Sequence, residues 1–135
     1  MGFFGNTLQK LTIVDRDHPI TEGVSDFETT DEAYNCVFFE ENVHPLIRTD
    51  FHPMNAPPGR NGAPPRMLNP RVKPSNLVAY VKAAEISPVA YIQLGHSGPG
   101  MASPSYRQLV LNAVKWAASP EARAWAEAHP HKIFK

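Results

Sequence analysis

Pro88-Val-Ala-Tyr-Ile-Gln-Leu-Gly95-His96-Ser97-Gly98-Pro99-Gly100-Met-Ala-Ser103-Pro104 is the stretch whose reading decides the fold. Val89 to Leu94 is a short run of β-branched, aromatic and aliphatic residues, the pattern of a buried strand. A Gly-rich loop bearing His96 follows, and Ser103-Pro104 then supplies a helix N-cap with Pro in the first turn. From Pro104 to Ala118, Tyr106, Leu109, Val110, Ala113, Val114 and Trp116 recur at spacings of three and four, a core-facing helical stripe. Strand, loop and helix read as half of a βαβ unit. In open α/β sheets ligands bind beyond the carboxyl ends of the strands, where His96 stands.

Working outward, Asn76–Ala83 reads as a second strand, joined to the first by a link short enough for a hairpin. Ser119-Pro120 repeats the cap and opens a short helix over Glu121–Ala128, which completes a C-terminal helix pair. Upstream, Lys10–Val14 and Val43–Thr49 read as strands and Phe27–Thr30 as extended. Ile20–Gly23 reads as one helical turn ended by Gly. Residues 52–74 hold half of the fourteen prolines and no apolar period, so they read as a surface excursion or an arm. One domain over residues 1–128 and a tail over 129–135 are expected.

Composition narrows the function classes. Hydrophobic content of 42% and charged content of 19% fit a globular domain. Residues 1–50 carry ten acidic and three basic side chains, and 51–135 carry three and ten, so the halves hold about −7 and +7. Complementarity between packed elements is the plainer reading, and head-to-tail association of subunits the sharper one. The basic residues are scattered, so no nucleic-acid partner is expected. The lone Cys36 excludes an internal disulfide, and no apolar run reaches the ~20 residues of a membrane span. Met-Gly-Phe-Phe-Gly-Asn lacks the features of a signal peptide, so a cytoplasmic location is expected unless a leader preceded Met1.

Four segments in order resemble one family. Asp17-His18-Pro19-Ile20-Thr21-Glu22-Gly23-Val24, and then Asp31-Glu32-Ala33-Tyr34, look like two signatures of the ThuA-like (trehalose-utilisation) domain. Pro88 to His96 is similar to that family's closing strand and Gly-His, and Pro104 to Ala117 to its final helix. The resemblance implies a flavodoxin-like α/β fold of the class I glutamine amidotransferase-like kind, and an association with sugar catabolism. The match begins at the family's middle, which leads us to expect a partial or truncated open parallel sheet. Its bare edge would then pair with a second copy or with a protein supplying the missing strands. No Gly-x-Cys-x-Gly elbow surrounds Cys36, so glutamine hydrolysis is not expected.

The candidate site follows. His96 is the acid–base candidate, with Gly95 allowing close approach and Ser97 beside it in the loop. Asp31 and Glu32 are the assisting carboxylates, and Tyr34 and His18 are ligand-binding candidates. Adjacent carboxylates on an extended segment point to opposite sides, so only one is expected to enter a given pocket. Against this stand plainer readings: His96 as a loop histidine, Asp31 as a helix N-cap, His18 as a turn residue. Four His-Pro pairs occur, but outside the tail no histidines have ligand-pair spacing. No cofactor is expected, and a divalent metal on dispersed Asp and His side chains is the lesser alternative. Acid–base chemistry on a carbohydrate, or a non-catalytic assembly role, are the two functions in view.

Overall fold

A computed structural model describes residues 2–35, 39–51 and 75–130. Five strands, β1 (Gly2–Ile13), β2 (Phe27–Asn35), β3 (His44–Thr49), β4 (Leu77–Ala84) and β5 (Ser87–Ile92), form one sheet in the order β2-β1-β3-β4-β5. Three helices follow: α1 (Gly98–Ala102), α2 (Pro104–Ala117) and α3 (Pro120–Ala128). The fold is mixed α/β, with the helices gathered at the C-terminal end of the chain.

Every strand pairing is antiparallel, which corrects the expected open parallel sheet and the half βαβ unit. The cause is in the connections. A parallel pair needs a crossover of a dozen residues or more, usually a helix. Between Ala84 and Ser87 only Glu85 and Ile86 intervene, and the 13 residues between β1 and β2 hold a single 3₁₀ turn, Pro19–Thr21.

β1 and β2 are longer than Lys10–Val14 and Phe27–Thr30 predict. Gly5 and Asn6, which blur the strand signal, form a β-bulge between Phe4 and Thr7, with Asn6 at a positive φ of 49°. Two residues of β1 there face Glu32 alone, inside the candidate site. The loop at 98–102 is likewise corrected: it makes a helical turn whose N-cap, Ser97, accepts from Gly100 N–H. Residues 52–74, Cys36 and the tail at 131–135 lie outside the described residues.

Alternation along β4 buries Leu77, Ala79, Val81 and Ala83, and the end of β1 buries Leu11 and Ile13. Of these, Leu11, Ile13, Ala79 and Val81 meet Leu46, Ile47, Leu109, Ala113, Trp116 and Ala122 in one core. Asn112 lies within it, its amide donating to the carbonyls of Ile20 (3.0 Å) and Glu22 (2.8 Å), so α2 holds the turn after β1. The chain leaving β5 reaches the opposite edge strand, where Ser97 Oγ donates to Thr30 O at 2.8 Å. That contact and α1 cover part of β2's outer edge, which the truncated-sheet reading leaves bare. Among the described residues no helix is long and apolar enough to cross a membrane.

Each Lys or Arg ion pair between described residues joins partners from the same half of the chain: Lys10–Glu28, Arg16–Asp26, Arg48–Glu40 and Arg123–Glu127. Packing of an acidic half against a basic half is not carried by these pairs.

Candidate functional site

Asp31 is wholly buried on β2, and its carboxylate accepts from three backbone N–H groups. Oδ2 accepts from Gly95 N–H at 2.6 Å, and Oδ1 from Ser97 N–H and Glu32 N–H, both at 2.8 Å. Burial alone raises a carboxyl's pKa, but these bonds outweigh it and hold Asp31 below the usual value of 3.8. Asp31 is a strand residue, not a helix cap. It fastens the loop from β5 onto β2.

Two glycines make that fastening possible. Gly95 has a φ of +105°, and a Cβ there would overlap the Tyr106 hydroxyl. A Cβ at Gly100 would overlap the Asp31 carboxylate. Gly100 was not among the expected site residues, and its signal is its place in the Gly98-Pro99-Gly100 run.

The fastened loop sets His96 over Glu32. The imidazole Nδ1 lies 3.5 Å from Glu32 Oε2, with the His96 side chain 65% exposed and that of Glu32 only 10%. Tyr34 donates its hydroxyl to the same Oε2. That bond, followed by burial and the nearby charges of Glu32, Asp31 and Tyr91, pushes the Tyr34 phenol up to about 12. Both carboxylates therefore reach one loop, Asp31 through its backbone and Glu32 through its histidine. Alternation does separate their side chains, but the loop is broad enough to meet both.

Gln9 contributes a contact that the strand pattern does not reveal. Fully buried on β1, it extends Nε2 to the carbonyl of Glu32 at 3.5 Å. Beside these residues, Tyr91 of β5 stacks on Tyr80 of β4, ring centroids 4.7 Å apart.

His18 is not part of this group. Its Nδ1 accepts from Ile20 N–H at 3.1 Å, capping the 3₁₀ turn, and its ring lies 5.2 Å from that of Trp116 and 5.8 Å from that of His44. Burial, then the charge of His44, lowers its pKa below 6.5 against the opposing pull of Asp15. Asp31 pairs with Thr7, whereas His18 follows Ile13, so the two groups sit toward opposite ends of β1. Gly95, His96, Ser97, Asp31, Glu32 and Tyr34 come together; His18 joins a second cluster.

A cleft of about 490 Å³ lies at that other end, lined by His44, Lys82, Trp125 and His129 among others. Another hollow, of about 400 Å³, lies between β2 and the start of α2. Neither is lined by His96, Glu32 or Tyr34. Among the described residues no group of three or more His, Cys, Asp or Glu side chains is arranged to hold a metal ion.

A family model described as ThuA, trehalose utilisation, matches residues 5–117. No curated protein and no solved structure matches the chain. The matched span takes in β1 from residue 5, the other four strands and α2, and with them every residue of the His96 group.

Proposed function

The chain belongs to the ThuA trehalose-utilisation family, and on that premise we propose that it binds a sugar-derived ligand at the His96 loop and performs acid–base chemistry there. The observation that carries the reading is the Glu32 oxygen shared by the Tyr34 hydroxyl and His96 Nδ1. A carboxylate 3.5 Å from Nδ1 favours the tautomer that carries its proton there, which leaves Nε2 of the neutral ring to take a proton. A sugar hydroxyl at Nε2 gives up its proton, and the imidazolium that forms is stabilised by Glu32. The reverse transfer makes His96 the acid.

Roles then divide. His96 is the acid–base residue, Glu32 orients and stabilises it, and Tyr34 holds Glu32 from the other side. Asp31 is wholly buried and commits its carboxylate to three backbone N–H bonds. It is a positioning residue, and Gly95 and Ser97 serve through their backbone N–H groups. The exposed ring suits a ligand that approaches from solvent, and the Tyr80–Tyr91 pair offers apolar surface against which a sugar ring packs.

The test is a thermal-shift and calorimetric titration of the full chain with trehalose. Wild type is expected to bind, and His96→Ala to bind at least about tenfold more weakly with its melting temperature kept. Equal binding by wild type and His96→Ala overturns the assignment of His96.

A further inference from the structure

The cleft at the other end of the sheet carries its own polar constellation. Its volume, about 490 Å³, lies within the range of small-molecule sites. His44 lines it, and His44 Nε2 lies 2.7 Å from Asp15 Oδ2. The bond to His44 holds Asp15 below the usual carboxylate range, so Asp15 accepts and Nε2 donates. In the neutral ring Nδ1 is then a lone pair, and it has no hydrogen-bond partner among the described residues.

His129 repeats the device on the facing helix. Its Nδ1 lies 2.8 Å from the carbonyl of Trp125, an acceptor only, so Nδ1 donates and the lone pair sits on Nε2. The Trp125 indole lines the cleft as well, with the His129 ring stacked on one face at 4.7 Å and with Trp116 and His44 edge-on at 5.8 Å and 6.5 Å. Glu41 and Lys82 complete its charged lining, one acceptor and one donor.

We propose that this cleft is a second binding site, for a neutral ring compound carrying several hydroxyl groups. Chemistry selects that class. Two lone pairs and the Glu41 carboxylate disfavour an anion such as sulfate, which at neutral pH brings acceptors only. Lys82 disfavours an ammonium ligand, which brings donors only. A hydroxyl both donates and accepts, so it satisfies imidazole nitrogen, carboxylate and ammonium together, while the C–H face of a ring packs against the stacked Trp125–His129 pair. His44 and His129 are binding residues here, and Asp15 is a positioning residue that fixes the His44 tautomer. This site shares no residue with the His96 group and stands whether or not that reading holds.

The experiment is a titration of the full chain with glucose, read by tryptophan fluorescence. Both tryptophans, Trp116 and Trp125, lie in this cluster, so the signal reports on the cleft. Sulfate and methylammonium serve as the anionic and cationic probes. A saturable change with glucose is expected, with a Kd in the millimolar range for so small a ligand, and none with the two ions. His44→Ala is expected to weaken glucose binding by about tenfold. Because His44 also packs on Trp125, the exposed Glu41→Ala is the second variant, expected to weaken binding about threefold without altering the melting temperature. The proposal is overturned if glucose gives no saturable change, if both variants bind as wild type does, or if either ion binds in its place.

Discussion

At Asp31 a buried carboxylate and three backbone N–H groups depend on one another, so its removal is costly twice over. Asp31→Ala leaves the N–H groups of Gly95 and Ser97 without an acceptor, and a loss of about 2–4 kcal/mol is expected in urea unfolding. Linkage gives this residue a pH signature. Its pKa is lower in the folded chain than in the unfolded one, so its contribution is complete above about pH 4 and is lost as pH falls through the native value. Asp31→Asn is therefore expected to flatten the acid limb of stability against pH, with the remaining slope left to groups such as Asp15 and Asp26. An acid limb as steep as that of wild type would remove Asp31 from this role. Tyr34 offers a second check at the same scale. Absorbance titration should place one phenol near 12 in wild type, and Glu32→Gln should bring it back toward 10. His96, Asp31, Glu32 and Tyr34 were legible as candidates because each is a chemically distinctive residue beside a strand end or turn. Their division of labour was not, because it depends on which oxygen meets which N–H across a sequence separation of 64 residues or more.

Among the elements, α2, α3 and β4 were readable because their signals are local: Ser-Pro caps, a three-four stripe, an alternating run. α1 was not, since two glycines and a proline read as loop until the Ser97 cap is seen to close the turn. β1 failed for a related reason. Gly5 and Asn6 look like a strand end, yet they are the bulge that faces Glu32. The β4–β5 hairpin holds a testable flaw: Glu85 sits at a φ of 55°, where a residue with a Cβ is strained. Glu85→Gly is expected to gain up to about 1 kcal/mol, the relief of that strain exceeding the added chain entropy. A lower melting temperature in that variant would count against the hairpin geometry. The tie from α2 to the turn after β1 has the opposite sign. Asn112→Ala strands the carbonyls of Ile20 and Glu22 and is expected to cost about 2–3 kcal/mol by urea unfolding.

Over the whole molecule, strand direction was the feature least accessible to sequence. A strand followed by a Gly-rich loop and a capped helix has the same local signature whether its neighbours run parallel or antiparallel. The difference lies in which strands pair, and only the short Ala84–Pro88 link announced one pairing in advance. The antiparallel sheet still delivers the chain from β5 across to β2, so the Gly-His loop and the Asp-Glu-x-Tyr strand meet as the family resemblance implies. The sheet also sets two carboxylate–imidazole couples toward opposite ends, Glu32 with His96 and Asp15 with His44. Amide chemical-shift mapping of the full chain during titration with trehalose tests the central claim most directly. The account predicts saturable shifts at Gly95–Ser97 and Asp31–Tyr34; shifts confined to the His44 and Trp125 end, or none at all, would contradict it.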